Sequence, residues 1–202
     1  MRLRLPSSPP RPPDRALSER DLTYPGEFRG LSASVHDLDG HSGVADRLEH
    51  QGFHCLSTSR VIGHGKDDHA RALDNLLGGR AHRLAGAPLH RAGTPLDDTA
   101  PMAVGDVVTV TPGRGLLTPL DSPCLVLTAG PDSLVYGTLP GHVECGEEAF
   151  TVTLHSDGTV TATVSAFSRP GTLLTRLGGP VGRRVQARMA NAYVRGIAAQ
   201  RP

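Results

Sequence analysis

Between Phe150 and Ala166 the chain alternates with a period of two, and this stretch constrains the fold more than any other. Phe150, Val152 and Leu154 fall on one face of an extended segment while Thr151, Thr153 and His155 fall on the other, the pattern of a half-buried strand. Ser156, Asp157 and Gly158 supply turn chemistry, and Gly158 can take a positive φ at no steric cost. On the return, Val160, Ala162, Val164 and Ala166 alternate with Thr159, Thr161, Thr163 and Ser165. β-Branched residues on both faces favour strand over helix, so the segment reads as a hairpin.

The hairpin ends at Arg169-Pro170-Gly171, because proline donates no ladder hydrogen bond and disfavours helical dihedrals in the residue before it. A short apolar segment with Leu173, Leu174 and Leu177 leads to Gly178 and Gly179, and Pro180 occupies a first helical position. The helix expected from there has a stripe of Val181, Val185, Met189, Ala192, Gly196 and Ile197. Arg183, Arg184, Arg188 and Arg195 point largely elsewhere, so one face should lie on a sheet and the arginines form a solvated face.

Upstream, Val107 to Thr111, Cys124 to Thr128 and Leu134 to Leu139 are short β-branched runs bounded by Pro, Gly and Asp. Gly52 to Ile62 reads as extended. Asp67 to Leu77 has acids in its first turn, Ala70, Leu73, Leu76 and Leu77 on one face, and two glycines after it, which predicts an amphipathic helix. Arg80 to Thr99 reads as loop with a helical turn at its start. Hairpin-linked strands followed by a long helix indicate an α+β domain, an antiparallel sheet with helices on one face.

At 202 residues with 38% hydrophobic residues, the chain can bury one core. A formal net charge of +1 argues against general binding to nucleic acid or a membrane surface, and the scarcity of aromatics (no Trp, four Phe, three Tyr) argues against base stacking. Three dispersed cysteines, Cys55, Cys124 and Cys145, suit neither a disulfide framework nor a zinc cluster, which predicts a reducing, cytoplasmic setting. No run approaches the ~20 apolar residues of a membrane-spanning helix. Residues 1–20, rich in proline and arginine, read as a disordered leader, with a single domain over residues 21–200. Composition sets no oligomeric state.

Several stretches together carry a family resemblance: YGTLPGH at 136–142, CGEEAF at 145–150, DGTV at 157–160, FSRP at 167–170, LGGPVGR at 177–183 and RMANAYVRG at 188–196. With these the chain resembles the bacterial and plant family DUF1990, also called UPF0548, from about Tyr24 to Ile197. The family has no established activity. Its element order is similar to the helix-grip fold of the START-like and Bet v 1-like (SRPBCC) superfamily, in which a curved antiparallel sheet wraps a long C-terminal helix around an apolar cavity. The resemblance therefore implies a small apolar or amphipathic ligand, with catalysis only in some relatives, a fold analogy until a site supports it.

The residues that could make such a site centre on Pro140 to Glu148, which reads as a glutamate-rich loop. Glu148 has the parity of Phe150 and should begin the buried face, whereas Glu147 should point to the other. A carboxylate facing an apolar cavity is costly unless paired, and a raised pKa there suits a general acid or a ligand anchor. At the rim it would instead pair with an arginine such as Arg169 or Arg184. His142-Val143-Glu144 matches half of a zinc deaminase signature, but no P-C-x-x-C follows. Neither a metal nor any other cofactor is expected, and His142 is read as capping backbone groups or hydrogen-bonding a ligand. Tyr136, Phe150, Phe167 and Tyr193 complete the candidate ligand-binding set, with core packing as the competing account of each. No catalytic residue is assigned: G-x-S-x-G is absent, and Gly113-Arg114-Gly115 and Gly63-His64-Gly65 lack the context of phosphate loops. Three functions stay open, namely a ligand-binding domain, an enzyme using acid-base chemistry on a lipid-like or polyketide-like substrate, and an interaction or stress-related protein with a filled interior.

Overall fold

A computed structural model describes residues 18–37, 43–97, 100–111, 122–171 and 179–200, and for 179–181 the backbone alone. The expected leader up to residue 17, the apolar segment with Leu173, Leu174 and Leu177, and Gly113-Arg114-Gly115 lie outside the described residues. Eight strands form one antiparallel sheet: β1 (His54–His64), β2 (Leu89–Arg91), β3 (Thr94–Pro95), β4 (Val107–Val110), β5 (Ser122–Ala129), β6 (Ser133–Thr138), β7 (Glu144–Leu154) and β8 (Thr159–Pro170). Their spatial order is β1-β8-β7-β6-β5-β4-β2-β3. Among the described residues four α-helices accompany it: α1 (Gly43–His50), α2 (Gly65–Leu77), α3 (Arg80–Leu84) and α4 (Gly179–Ala198). The result is the α+β helix-grip architecture, a curved antiparallel sheet closed by the C-terminal helix.

The hairpin expected from the alternation is β7 and β8, paired from Glu144 opposite Pro170 to Leu154 opposite Val160. Its turn closes where the Gly158 N–H donates to the His155 carbonyl, with Gly158 at a φ of 86°. Register shifts at Val61/Gly63 in β1 and Val126/Thr128 in β5 add local twist, which bends the sheet.

On the concave face, Leu134, Phe150, Val152, Val160, Ala162 and Val164 are buried against the helices. From the helices come Leu76 of α2, Ala81 of α3, and Ala190, Tyr193, Val194 and Ile197 of α4. The helices are also tied by hydrogen bonds: the buried Asn75 amide of α2 donates to the carbonyls of Ile197 (3.1 Å) and Ala199 (2.8 Å), capping the end of α4. Gly196 is needed where α4 crosses α3, since a Cβ there would run into the Ala81 backbone.

Four expectations are corrected. The stripe of α4 is rotated: Val185 is 55% exposed, and Ala190, Tyr193 and Val194 are buried, because α4 packs on α2 and α3 as well as on the sheet. Ala70 of α2 is exposed, and Ala72 and Asn75 are buried beside Leu76. Residues expected to form loop between Arg80 and Thr99 contain the β2-β3 hairpin, turned by Ala92 (φ 50°) and Gly93 (φ 81°) in the left-handed pair that tight hairpins favour. The glutamate-rich loop is strand from Glu144 onward.

The other face of β1, β8 and β7 is covered too. Short 3-10 turns at Gly26–Phe28 and Leu31–Asp37, with α1, lay a second core over it. There Phe167 meets the rings of Tyr24, Phe28 and Phe53 edge-on, at centroid separations of 5.4, 6.5 and 5.2 Å. Each fully buried ring contributes on the order of 2 to 3 kcal/mol.

Candidate functional site

The alternation of β7 directs Glu144, Gly146, Glu148 and Phe150 toward the concave side, as the burial of Phe150 against the helices shows. Between this strand and α4 lies a cavity of about 280 Å³. Apolar groups dominate its wall, among them Leu56, Ala87, Val110, Ala166 and Met189. The polar groups gather in two places.

The inner group is centred on Glu148. Tyr136 stands opposite it on β6, and its hydroxyl donates to Glu148 Oε2 at 2.7 Å. Behind Tyr136, His82 of α3 is fully buried, with Nε2 3.4 Å from the Tyr136 oxygen. Its Nδ1 has no partner. A bare ring nitrogen is a cheaper orphan than a buried N–H, so the proton belongs on Nε2 and is donated to the Tyr136 oxygen. The ring is held by aromatic neighbours, 4.8 Å from Tyr193 and 5.1 Å from Phe150 between centroids.

Burial pushes the Glu148 carboxyl up to about 7; the Tyr136 hydrogen bond works against this rise and the nearby Glu144 adds to it. Burial also lowers His82 to about 3, so its imidazole is neutral. The phenols of Tyr136 and Tyr193 are raised well above their ordinary value, by burial first and by Glu148 second. At neutral pH this group holds one titrating carboxyl and three neutral rings.

The second group lies along the same strand. The Gln186 amide of α4 donates to Glu144 Oε1 at 2.7 Å and to the Ser168 hydroxyl at 2.9 Å. Burial raises the Glu144 carboxyl, and the bonds from Gln186 and Ser168 oppose that rise. His142 folds back so that the Glu144 N–H donates to its Nδ1 at 2.9 Å, and burial lowers it to about 4. The backbone-capping reading of His142 is thus what its geometry shows, at the cavity wall.

Over residues 41–196 the sequence matches the model of a family described as a domain of unknown function, DUF1990. The chain belongs to the DUF1990 family. Comparison with curated proteins gives no match. Solved structures similar to this DUF1990 protein include hypothetical protein jhp0584 from Helicobacter pylori, at 10% identity, covering 72% of this chain and 86% of that one with a TM-score of 0.54. TTHA0849 from Thermus thermophilus is similar at 8% identity, covering 72% and 94% with a TM-score of 0.53. The di-domain ARO/CYC StfQ from the steffimycin biosynthetic pathway matches at 14% identity, covering 79% of this chain and 60% of its own, with a TM-score of 0.53. At these identities the likeness establishes the helix-grip fold alone.

Of the six residues singled out in the sequence, the DUF1990 fold brings Tyr136, Glu148 and Tyr193 to the cavity wall, places His142 farther along it, and buries Phe150 in the core behind the rings of Tyr136 and Tyr193. Phe167 borders the cavity, but its ring belongs to the second core, because it shares the parity of Glu147, its partner across the β7-β8 pair. Neither expected arginine pairs with Glu148: Arg169 stacks over Phe53 at 4.5 Å, and Arg184 is exposed on α4. Gln186 and His82 escaped the sequence reading, and Glu144 entered it only through the half-signature His142-Val143-Glu144. For Glu144 the signal was available, since it has the parity of Glu148. Among the described residues no three His, Cys, Asp or Glu side chains converge to hold a metal ion. No described helix is long and apolar enough to cross a membrane.

Proposed function

We propose that this DUF1990 protein binds a small, largely apolar molecule in the cavity between the sheet and α4. The observation that carries the reading is the cavity itself, about 280 Å³ of space with apolar walls and the Glu148 and Tyr136 side chains at its surface. A space of this size with a few convergent polar groups is the usual form of a small-molecule site. Such a cavity also weighs against an interaction protein with a filled interior.

A second reading is supported by one specific feature. Glu148 is enclosed beside a phenol and titrates near 7, which suits a general acid or base acting on a lipid-like or polyketide-like substrate. Titration with N-phenyl-1-naphthylamine, uncharged at neutral pH, tests the binding reading. Saturable one-to-one uptake is expected, and fluorescence that rises only linearly with probe would contradict it. Glu148→Gln then separates binder from enzyme: uptake of the neutral probe persists in both cases, while any turnover falls by roughly 10²–10⁴-fold.

A further inference from the structure

The cavity has a sign. The described residues that line it include three glutamates but neither lysine nor arginine; the carboxyls of Glu144 and Glu148 face it, while that of Glu147 is held on the other face by Tyr24 and Ser32. Two histidines line it: His142, which burial keeps neutral, and His54, exposed on β1. Glu144 already receives the Gln186 amide. Glu148 differs: one oxygen accepts the Tyr136 hydrogen bond and the other has no protein donor among the described residues. Tyr136 and Tyr193, whose rings can also attract a cation, line the cavity beside it.

We propose that the ligand is an organic cation, an ammonium group carried on an apolar body, with the ammonium donating to the free oxygen of Glu148 between Tyr136 and Tyr193. The proposal rests on the ligand-binding reading of the same cavity and narrows it to a class. The same carboxyls, once ionised, repel an anionic amphiphile such as a fatty acid. The chain of donation from His82 through Tyr136 to Glu148 leaves the carboxylate as the terminal acceptor, so it favours the ionised form that an ammonium requires. The groups facing Glu148 are Tyr136 from β6, Tyr193 from α4, Cys124 from β5, Glu144 from β7 and, behind Tyr136, His82 from α3. Among these Glu148 itself is the group that changes charge close to neutrality.

Three probes sharing one ring system test this: 2-(2-naphthyl)ethylamine, 2-(2-naphthyl)ethanol and 2-naphthylacetate, titrated into the wild-type protein by calorimetry. At pH about 8 the amine should bind at least about tenfold more tightly than the alcohol, and the carboxylate most weakly. On acidification to pH about 5.5 the amine should weaken by about 10- to 30-fold as Glu148 takes up its proton, while the alcohol stays unchanged. Glu148→Gln should bring amine and alcohol to within about threefold of each other. Equal binding of amine and alcohol by wild type at pH about 8, or tighter binding of the carboxylate, overturns the charge preference and leaves the apolar cavity standing. Failure of all three probes overturns both readings.

Discussion

Glu147 and Glu148 are consecutive residues of β7 whose carboxyls serve opposite faces of one sheet. Glu147 turns to the outer face, where Tyr24 Oη donates to it at 2.6 Å, the Gly30 N–H at 2.9 Å, and Ser32 through both its N–H (3.1 Å) and its hydroxyl (2.6 Å). Glu148 turns to the cavity and has the single donor Tyr136. Four donors satisfy a buried carboxylate; one leaves it short of partners. The first glutamate fastens the N-terminal turns to the sheet, and the second is available to a ligand.

Glu147→Gln should therefore destabilise the fold by about 2 to 4 kcal/mol, because its amide NH₂ would face donors that need an acceptor. Urea denaturation measures this. A change below about 0.5 kcal/mol would contradict the anchoring role.

For Glu148 the prediction concerns pH. Its carboxyl moves from 4.5 in the open chain to about 7 in the fold. Between those values the folded state binds the extra proton, so the contribution to stability is full below 4.5 and is lost as pH rises through about 7. The stability of the wild type relative to Glu148→Gln should fall by on the order of 3 kcal/mol between pH 4 and pH 8. Urea melts of both proteins across that range check it, and a pH-independent difference would mean that Glu148 titrates normally.

Ala166 lies opposite Glu148 across the β7-β8 pair and lines the cavity. Ala166→Leu should fill part of that space, abolishing uptake of N-phenyl-1-naphthylamine while the melting temperature holds or rises by a few degrees. Undiminished uptake would place the probe elsewhere.

Gly196→Ala should destabilise by more than about 2 kcal/mol, although alanine is the better helix former by about 1 kcal/mol. The added Cβ meets the Ala81 backbone, so α4 must lift from α3. Loss of thermal stability, with weaker near-UV signals from Tyr193, is the expected readout. A stabilised variant would contradict the close approach of the two helices.

The hairpin, the closing helix and the inward parity of Glu148 were legible because each rests on a period that survives in isolation. What escaped rests on long-range contact. Gly146 punctuates the sequence like a loop residue, yet it sits inside β7 because the Phe167 backbone crosses so near that a Cβ has no room; Glu144 was hidden by the same misreading. His82 lies in a five-residue helix, too short to show a period. The outer cover is built from 3-10 turns with no repeating stripe, so nothing local signalled that Phe167 would find a second core.

Native mass spectrometry of gently purified protein, followed by denaturation and analysis of what is released, tests the central claim of a ligand-binding cavity most directly. The account predicts one reproducible apolar passenger per chain, displaced by N-phenyl-1-naphthylamine and absent from Ala166→Leu. A protein that is empty as isolated and gains no thermal stability from a panel of lipids and metabolites would contradict it.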